Sequence, residues 1–200
     1  MRAFDIYNGA SVTLKNINFI NCNADGSDHS CEQNRGGAIY SLGNAVTTID
    51  NCTFVNCHTA DGGVFYVGSG TLAATHCEFI KNTATRGGVF YLPQNPTMIS
   101  IKGAAFINNT ATTGNNGFLV TGVSTARTDF NENWWGENHG PQYTMYMQQS
   151  GAYFTGVDYY VAEEILTSPI TIEVKMRLDS NNTPTLLWNH VKHSLLLMLH

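Results

Sequence analysis

The stretch Cys77-Glu78-Phe79-Ile80-Lys81-Asn82-Thr83-Ala84-Thr85-Arg86-Gly87-Gly88-Val89-Phe90-Tyr91 is repeated in recognisable form on both sides of itself. Its Phe-x-x-Asn half recurs at residues 106–109 and 130–133, and survives with a terminal cysteine at 19–22 and 54–57. Its Gly-Gly half recurs as Gly36-Gly37-Ala38-Ile39-Tyr40 and Gly62-Gly63-Val64-Phe65-Tyr66, then decays to Asn116-Gly117-Phe118-Leu119. The phenylalanines at 19, 54, 79, 106 and 130 stand 35, 25, 27 and 24 residues apart, the long first interval carrying a polar insertion over residues 25–33. A fixed period of this size sets the architecture before any local preference does.

Helical repeats would space apolar residues three and four apart, whereas here apolar and polar positions alternate, which predicts strands with one buried face. Aligned on the phenylalanine, the units give a column Leu14, Ile49, Ala74, Ile101 five residues before it and a column Ile17, Cys52, Cys77, Ala104 two before it. Ile20, Val55, Ile80 and Ile107 follow it directly, and Cys22, Cys57, Asn82, Asn109 and Asn133 stand three after it. With about three short strands per unit, each unit is expected to pair in parallel with the next, so that like residues stack and the asparagines form a ladder. The expected fold is therefore all-β, a single-stranded parallel β-helix of about five turns. A Greek-key sandwich is the competing all-β arrangement, and it would not place equivalent side chains above one another.

The expected organisation is a repeat domain over residues 1–141, a linker over 142–156 and a partial β-rich segment over 157–200. In the last of these, residues 159–166 and 170–178 read as strands and 179–182 as a turn. Because Phe4, Asp5 and Ile6 fall into register with Ile39, Tyr40 and Ser41, the chain reads as opening inside a repeat, with no secretory signal and no cap before it. Only 12% of residues are charged and the net charge is -5, so no basic stripe for a phosphate backbone is present and nucleic acid is not an expected partner. The longest apolar run, residues 195–199, is five residues and far short of a membrane span.

The cysteines are five, an odd number, and four of them occupy repeat columns, where a thiol fills a small buried slot. Stacked cysteines also stand close enough to leave a disulfide open. Zinc fits poorly, since Cys57-His58 and His76-Cys77 face opposite ways on an extended chain. No cofactor or metal is expected.

The parity of Phe4, Ile39, Phe65, Phe90 and Leu119 points inward, which sends Tyr40, Tyr66 and Tyr91 outward on successive turns, with Asp5 in their slot on the first. An exposed aromatic ladder offers a docking face for sugar rings; tyrosine is equally a good strand residue. Trp134 and Trp135, in Asn133-Trp134-Trp135-Gly136-Glu137-Asn138-His139-Gly140-Pro141, are expected to lie as a lid over the last open turn, and are weaker candidates for a sugar platform. Tyr40, Tyr66, Tyr91, Trp134 and Trp135 are thus the candidate binding residues.

The Phe-x-x-Asn and Gly-Gly-[Ala/Val]-[Ile/Phe] pairs resemble the repeats of chlamydial polymorphic outer-membrane proteins. With Asn133-Trp134-Trp135-Gly136 followed by a β-rich segment, the chain is more similar still to adhesin-like surface proteins of methanogenic archaea. The likeness covers residues 3–141, with a weaker likeness of 157–187 to the opening of an immunoglobulin-like repeat. It departs from the pattern in having cysteine for asparagine in two copies and no visible signal, cap or anchor.

The resemblance implies a right-handed β-helix displayed at the cell surface and attached to glycans or to a partner cell surface; the module is expected to be monomeric. A polysaccharide lyase or hydrolase of the pectin-lyase-like architecture is the alternative enzyme reading, and a structural spacer is the second alternative. Hydrolysis or elimination needs paired carboxylates or an acidic cluster beside a base. Asp50 and Glu78, diagonal to each other with Lys81 near, are the best such set in the sequence, and no catalytic residue is assigned.

Overall fold

The computed structural model describes residues 1–26, 33–93, 97–112, 120–123, 127–130 and 132–135, and the strands 145–149, 152–154, 171–178, 184–192 and 195–197. It is all-β. Between residues 4 and 129 the strands form four parallel sheets, and within each sheet a strand pairs with its equivalent one unit away. The first sheet holds Phe4–Ile6, Ile39–Ser41, Phe65–Val67, Phe90–Leu92 and Val120–Val123. The second holds Ser11–Lys15, Val46–Asp50, Thr71–Thr75, Met98–Lys102 and Arg127–Asp129. The third holds Asn18–Ile20, Thr53–Val55, Glu78–Ile80 and Ala105–Ile107, and the fourth His58–Asp61, Thr83–Arg86 and Thr110–Ala111. Where about three strands per unit were expected, complete units have four.

The register is the one the columns imply. Phe19 pairs with Phe54, Phe54 with Phe79 and Phe79 with Phe106. Their rings stack in one interior column, with centroids 4.6, 5.4 and 5.0 Å apart. A second column, Phe65 on Phe90 at 5.0 Å, meets the first edge to face, as Phe54 does Phe65 at 5.1 Å and Phe79 does Phe90 at 5.3 Å. Such pairs are worth about 0.5–1.5 kcal/mol each beyond the area they bury. The column Ile20, Val55, Ile80, Ile107 has the other parity, so it lies on the outer face of the third sheet, where Ile20 is 59% exposed.

Two corners bracket each strand of the third sheet, and both are built from residues with positive φ. One corner is Asn16, Asn51, His76, Gly103 and Glu132, and the other is Asn21, Asn56, Lys81 and Asn108. Asparagine and glycine tolerate this left-handed region, which explains why they dominate the corners. The backbone stays paired through the bend, as in Asn51 N–H to the Thr75 carbonyl and Lys81 N–H to the Ile107 carbonyl.

The two glycines of each Gly-Gly pair are required for different reasons. Gly36, Gly62 and Gly87 have φ of 58°, 71° and 62°, and a Cβ there would overlap the carbonyls of Ile39, Phe65 and Phe90. Gly37 and Gly63 have no positive φ; a Cβ on them would overlap the carbonyls of Gly63 and Gly88 in the next unit.

The buried ladder begins with Cys57. Its N–H donates to Asn82 Oδ1 at 2.8 Å, and Asn82 N–H donates to Asn109 Oδ1 at 2.9 Å. The Asn82 Nδ2 group donates to the Phe54 carbonyl at 3.0 Å, and the Asn109 Nδ2 group to the Phe79 carbonyl at 2.7 Å. Cys57 Sγ reaches the matching Phe19 carbonyl at 3.8 Å, a weak copy of the same contact.

Three registers differ from expectation. Phe130 does not continue the phenylalanine column. Ser100 pairs with Asp129 and Ala105 with Trp134, which puts Phe130 level with Ile101, Asn133 level with Ala104 and Trp135 level with Phe106. The Phe-x-x-Asn spelling at 130–133 is thus a coincidence five residues early.

Phe90 pairs with Val120 rather than Leu119, which lies outside the described residues, as does the rest of 113–119. Met145–Gln149, inside the stretch read as a linker, pairs in parallel with Val120–Val123, and Ala152–Phe154 pairs antiparallel to it. Its Met-Tyr-Met triplet falls where the earlier units have Ile39-Tyr40-Ser41 and Phe65-Tyr66-Val67.

Toward the end, Thr171–Leu178, Pro184–Lys192 and Leu195–Leu197 form an antiparallel sheet. Thr171–Leu178 falls within the expected strand at 170–178; the expected strand at 159–166, the turn at 179–182 and residues 27–32 of the insertion lie outside the described residues. No helix in the described residues is long and apolar enough to cross a membrane.

Candidate functional site

On the first sheet, the outward parity places Tyr40, Tyr66 and Tyr91 in successive units, as expected. Tyr40 pairs with Tyr66 and Tyr66 with Tyr91. The ring centroids are 4.9 and 5.8 Å apart, and Tyr7 extends the row at 5.6 Å from Tyr40. The stack forms, but the expected exposure does not. Tyr40 is 2% and Tyr66 4% exposed, and Tyr91 is half-buried.

The cover is a set of guanidinium groups. Arg2 lies over Tyr40 and Arg35 over Tyr66, each 5.0 Å from the ring centroid, and Arg86 lies over Tyr91 at 4.6 Å. A guanidinium is planar and weakly hydrated, so it stacks on an aromatic face at little cost in solvation. The ring faces that a sugar would need are therefore occupied from within.

The arginines are held in turn. Arg35 and Arg86 flank Asp61, Arg86 as its neighbour in the fourth sheet and Arg35 through an isolated parallel bridge on its other side. Arg86 grips the Asp61 carboxylate with two bonds, Nε to Oδ1 at 2.8 Å and Nη2 to Oδ2 at 2.7 Å. That hydrogen bond raises the Arg86 pKa further above its ordinary value. Arg2 donates from Nη1 to the Arg35 carbonyl at 2.8 Å, and its Nε lies 2.8 Å from Asp5 Oδ1. Burial pushes the Tyr66 phenol up to about 12 and raises that of Tyr91.

This charged column is visible in the sequence. Each Gly-Gly pair is preceded by a charged residue, in the order Arg35, Asp61, Arg86.

The two tryptophans part company. Trp135 is 1% exposed and stacks on Phe106 with 4.4 Å between centroids and 4° between planes, so it extends the interior column by one ring. Trp134 takes the opposite parity, beside Ala105 on the outer side of the third sheet, and is half-buried. The pair thus does not form one lid or one sugar platform.

The diagonal set of Asp50, Glu78 and Lys81 does not assemble. Asp50 accepts from Thr75 Oγ1 at 3.0 Å, and its carboxylate lies 3.1 Å from His76 Nδ1 and 3.5 Å from Lys15 Nζ. The His76 hydrogen bond, then that of Thr75, lowers the Asp50 pKa. The partners of Asp50 are thus its neighbours in its own outward column and at the adjacent corner. Glu78 sits on the third sheet, around that corner, exposed. Among the described residues, no group of three or more His, Cys, Asp or Glu is arranged to hold a metal ion.

The chain matches no protein-family model, no curated protein and no solved structure.

Proposed function

We propose that residues 1–141 wind as a right-handed parallel β-helix and act as a non-catalytic attachment module of the adhesin-like kind, displayed outside the cell. The observation that carries this reading is the Tyr40–Tyr66–Tyr91 row braced by Arg2, Arg35 and Arg86. It is a row fixed on a scaffold whose units are joined by backbone pairing and buried aromatic columns, with an asparagine ladder at Asn82 and Asn109. Pre-fixed side chains lose little freedom when a ligand docks, which favours weak, repeated contacts along a rod. With Tyr40 and Tyr66 buried, the contacts run through half-buried Tyr91 and the guanidinium N–H groups of Arg35 and Arg86, which suit hydroxyl- and carboxylate-bearing glycans.

A glycan array probed with the wild-type chain and with Tyr91→Ala and Arg35→Ala tests this. Binding that both substitutions weaken, with melting shifted by only a few degrees, supports attachment through this face. A second reading, a structural spacer, is favoured by the near-complete burial of Tyr40 and Tyr66, and it is adopted if no glycan or cell surface binds. Turnover of pectin, alginate or hyaluronan in a reducing-sugar assay, abolished by Asp50→Asn, would replace both with the polysaccharide lyase or hydrolase reading.

A further inference from the structure

The described cysteines come as two vertical pairs in adjacent units. Ile20 pairs with Val55 and Asn23 with His58, which sets Cys57 directly beside Cys22. Thr53 pairs with Glu78, which sets Cys77 directly beside Cys52. The backbone is bonded at each point, His58 N–H to the Cys22 carbonyl at 2.9 Å and Glu78 N–H to the Cys52 carbonyl at 3.0 Å. Strands paired in this way run about 4.8 Å apart, within the roughly 4.4–6.8 Å between Cα atoms that a disulfide spans. Cys22, Cys52, Cys57 and Cys77 are 9%, 1%, 0% and 1% exposed, all in the same core. Cys57 leans toward the unit of Cys22, with its Sγ 3.8 Å from the Phe19 carbonyl. Further along, the same columns hold Asn82 and Asn109, and Ala104 and Asn133, so among the described residues each of these thiols has one thiol neighbour in its column.

We infer that Cys22 with Cys57, and Cys52 with Cys77, are sites of oxidative cross-linking that join the first three units covalently. The Cys57 unit would share one bridge with the unit before it and, through Cys52, another with the unit after it. A small-molecule disulfide such as oxidised glutathione supplies the oxidising equivalents. Cys22, the most exposed of the four, attacks as a thiolate; the glutathione S–S bond breaks, one glutathione thiolate leaves, and a mixed disulfide remains on Cys22. Cys57 then gives up its proton and attacks the Cys22 sulfur, and the second glutathione leaves. Two protein thiols are oxidised and one glutathione disulfide is reduced to two thiols. Burial pushes the Cys57 and Cys77 thiols up to about 12, which disfavours either as the first attacker. Both members of the Cys52–Cys77 pair are 1% exposed, so that bridge waits on opening of the sheets and forms more slowly.

The test is a time course of the folded full chain with oxidised glutathione, in both the wild type and a Cys31→Ser background. At each point the remaining thiols are alkylated and the disulfide-linked peptides are mapped by mass. The expected result is a 22–57 linkage first and a 52–77 linkage later, each two hydrogens lighter, with a melting midpoint that rises on oxidation and returns on reduction. Cys57→Ser is expected to leave Cys22 carrying glutathione while the 52–77 linkage still forms; should that variant fail to fold, the wild-type map alone decides. Thiols that stay free in the folded chain, bridges that join other cysteines, or linkages that form only after denaturation would overturn the inference.

Discussion

Trp135 lies flat on Phe106, with 4° between their planes, although the nearest phenylalanine of the expected spacing is Phe130. Phe130 instead occupies the Ile101 column, fully buried, 6.2 Å from Trp135 by ring centroid. The end of the interior stack therefore depends on a tryptophan in a phenylalanine slot. Trp135→Ala is expected to destabilise by about 3–5 kcal/mol, the usual range for emptying a large aromatic site, while Trp135→Phe costs a fraction of that. Chemical denaturation followed at constant m-value distinguishes the two.

The Asn82 side chain accepts from the Cys57 N–H and donates to the Phe54 carbonyl, both in the unit before its own and all in the interior. Asn82→Ala leaves the Cys57 N–H and the Phe54 carbonyl without these partners, at about 1–3 kcal/mol for each buried group. Cys57→Asn should act in the opposite sense, since an amide there can complete the contact with the Phe19 carbonyl that the thiol makes only at 3.8 Å. A gain of about 1 kcal/mol, the net worth of one hydrogen bond, is expected. Equilibrium unfolding of the two variants beside the wild type gives both numbers.

Lys81 holds φ at 54° where Asn21, Asn56 and Asn108 hold the same corner in the other units. A lysine gains nothing from that conformation, whereas asparagine tolerates it. Lys81→Asn and Lys81→Gly are each expected to raise stability by about 1 kcal/mol. Gly62→Ala, at φ 71° and with a Cβ overlapping the Phe65 carbonyl, is expected to prevent folding or to cost several times that amount. Thermal melts of the three variants decide the sign.

Tyr66 holds its proton more tightly folded than unfolded, with its phenol at about 12 against an ordinary 10.0. Because the folded value is the raised one, this stabilisation is complete below the unfolded pKa and is lost as pH climbs from there toward the folded value. Base-induced unfolding should therefore fall within that window, with phenolate absorbance appearing as the chain opens. Tyr66→Phe removes the ionising group and is expected to move the midpoint to higher pH.

Lowering the pH acts on Asp50 in the matching way. Its folded pKa is depressed, so its pairing with His76, Thr75 and Lys15 contributes above the unfolded carboxylate value and fades as pH falls through the folded one. The group lies at the surface, where such pairs are worth little. Asp50→Asn is accordingly expected to leave the melting temperature at pH 7 nearly unchanged and to flatten its slope in the acid range.

The parallel pairing and the phenylalanine and asparagine columns were readable because matched residues at a near-constant spacing leave few ways to bury them. The fourth strand was not, since Thr83–Arg86 and its equivalents are short and mostly polar and carry little apolar alternation. The register slip at Phe130 arose because Phe-x-x-Asn is a short spelling, and the replacement of Gly103 by Glu132 in the corner hid the true alignment. Burial of the tyrosines is not legible in the sequence for another reason. Parity tells which way a side chain leaves the strand, but it says nothing of what folds over it from the neighbouring corner. Here the cover is Arg2, Arg35 and Arg86, the last two each standing just ahead of a Gly-Gly pair.

The place a methyl would take on Gly37 belongs to the Gly63 carbonyl, and the place it would take on Gly63 belongs to the Gly88 carbonyl. Each unit thus offers the next the same shape it received from the one before. A tandem duplication of the 25 residues from 62 to 86 could slot between existing units without any new chemistry at either seam. The same reciprocity makes a lone change at such a glycine a fault in two units at once, so chains of this kind are freer to grow longer than to drift.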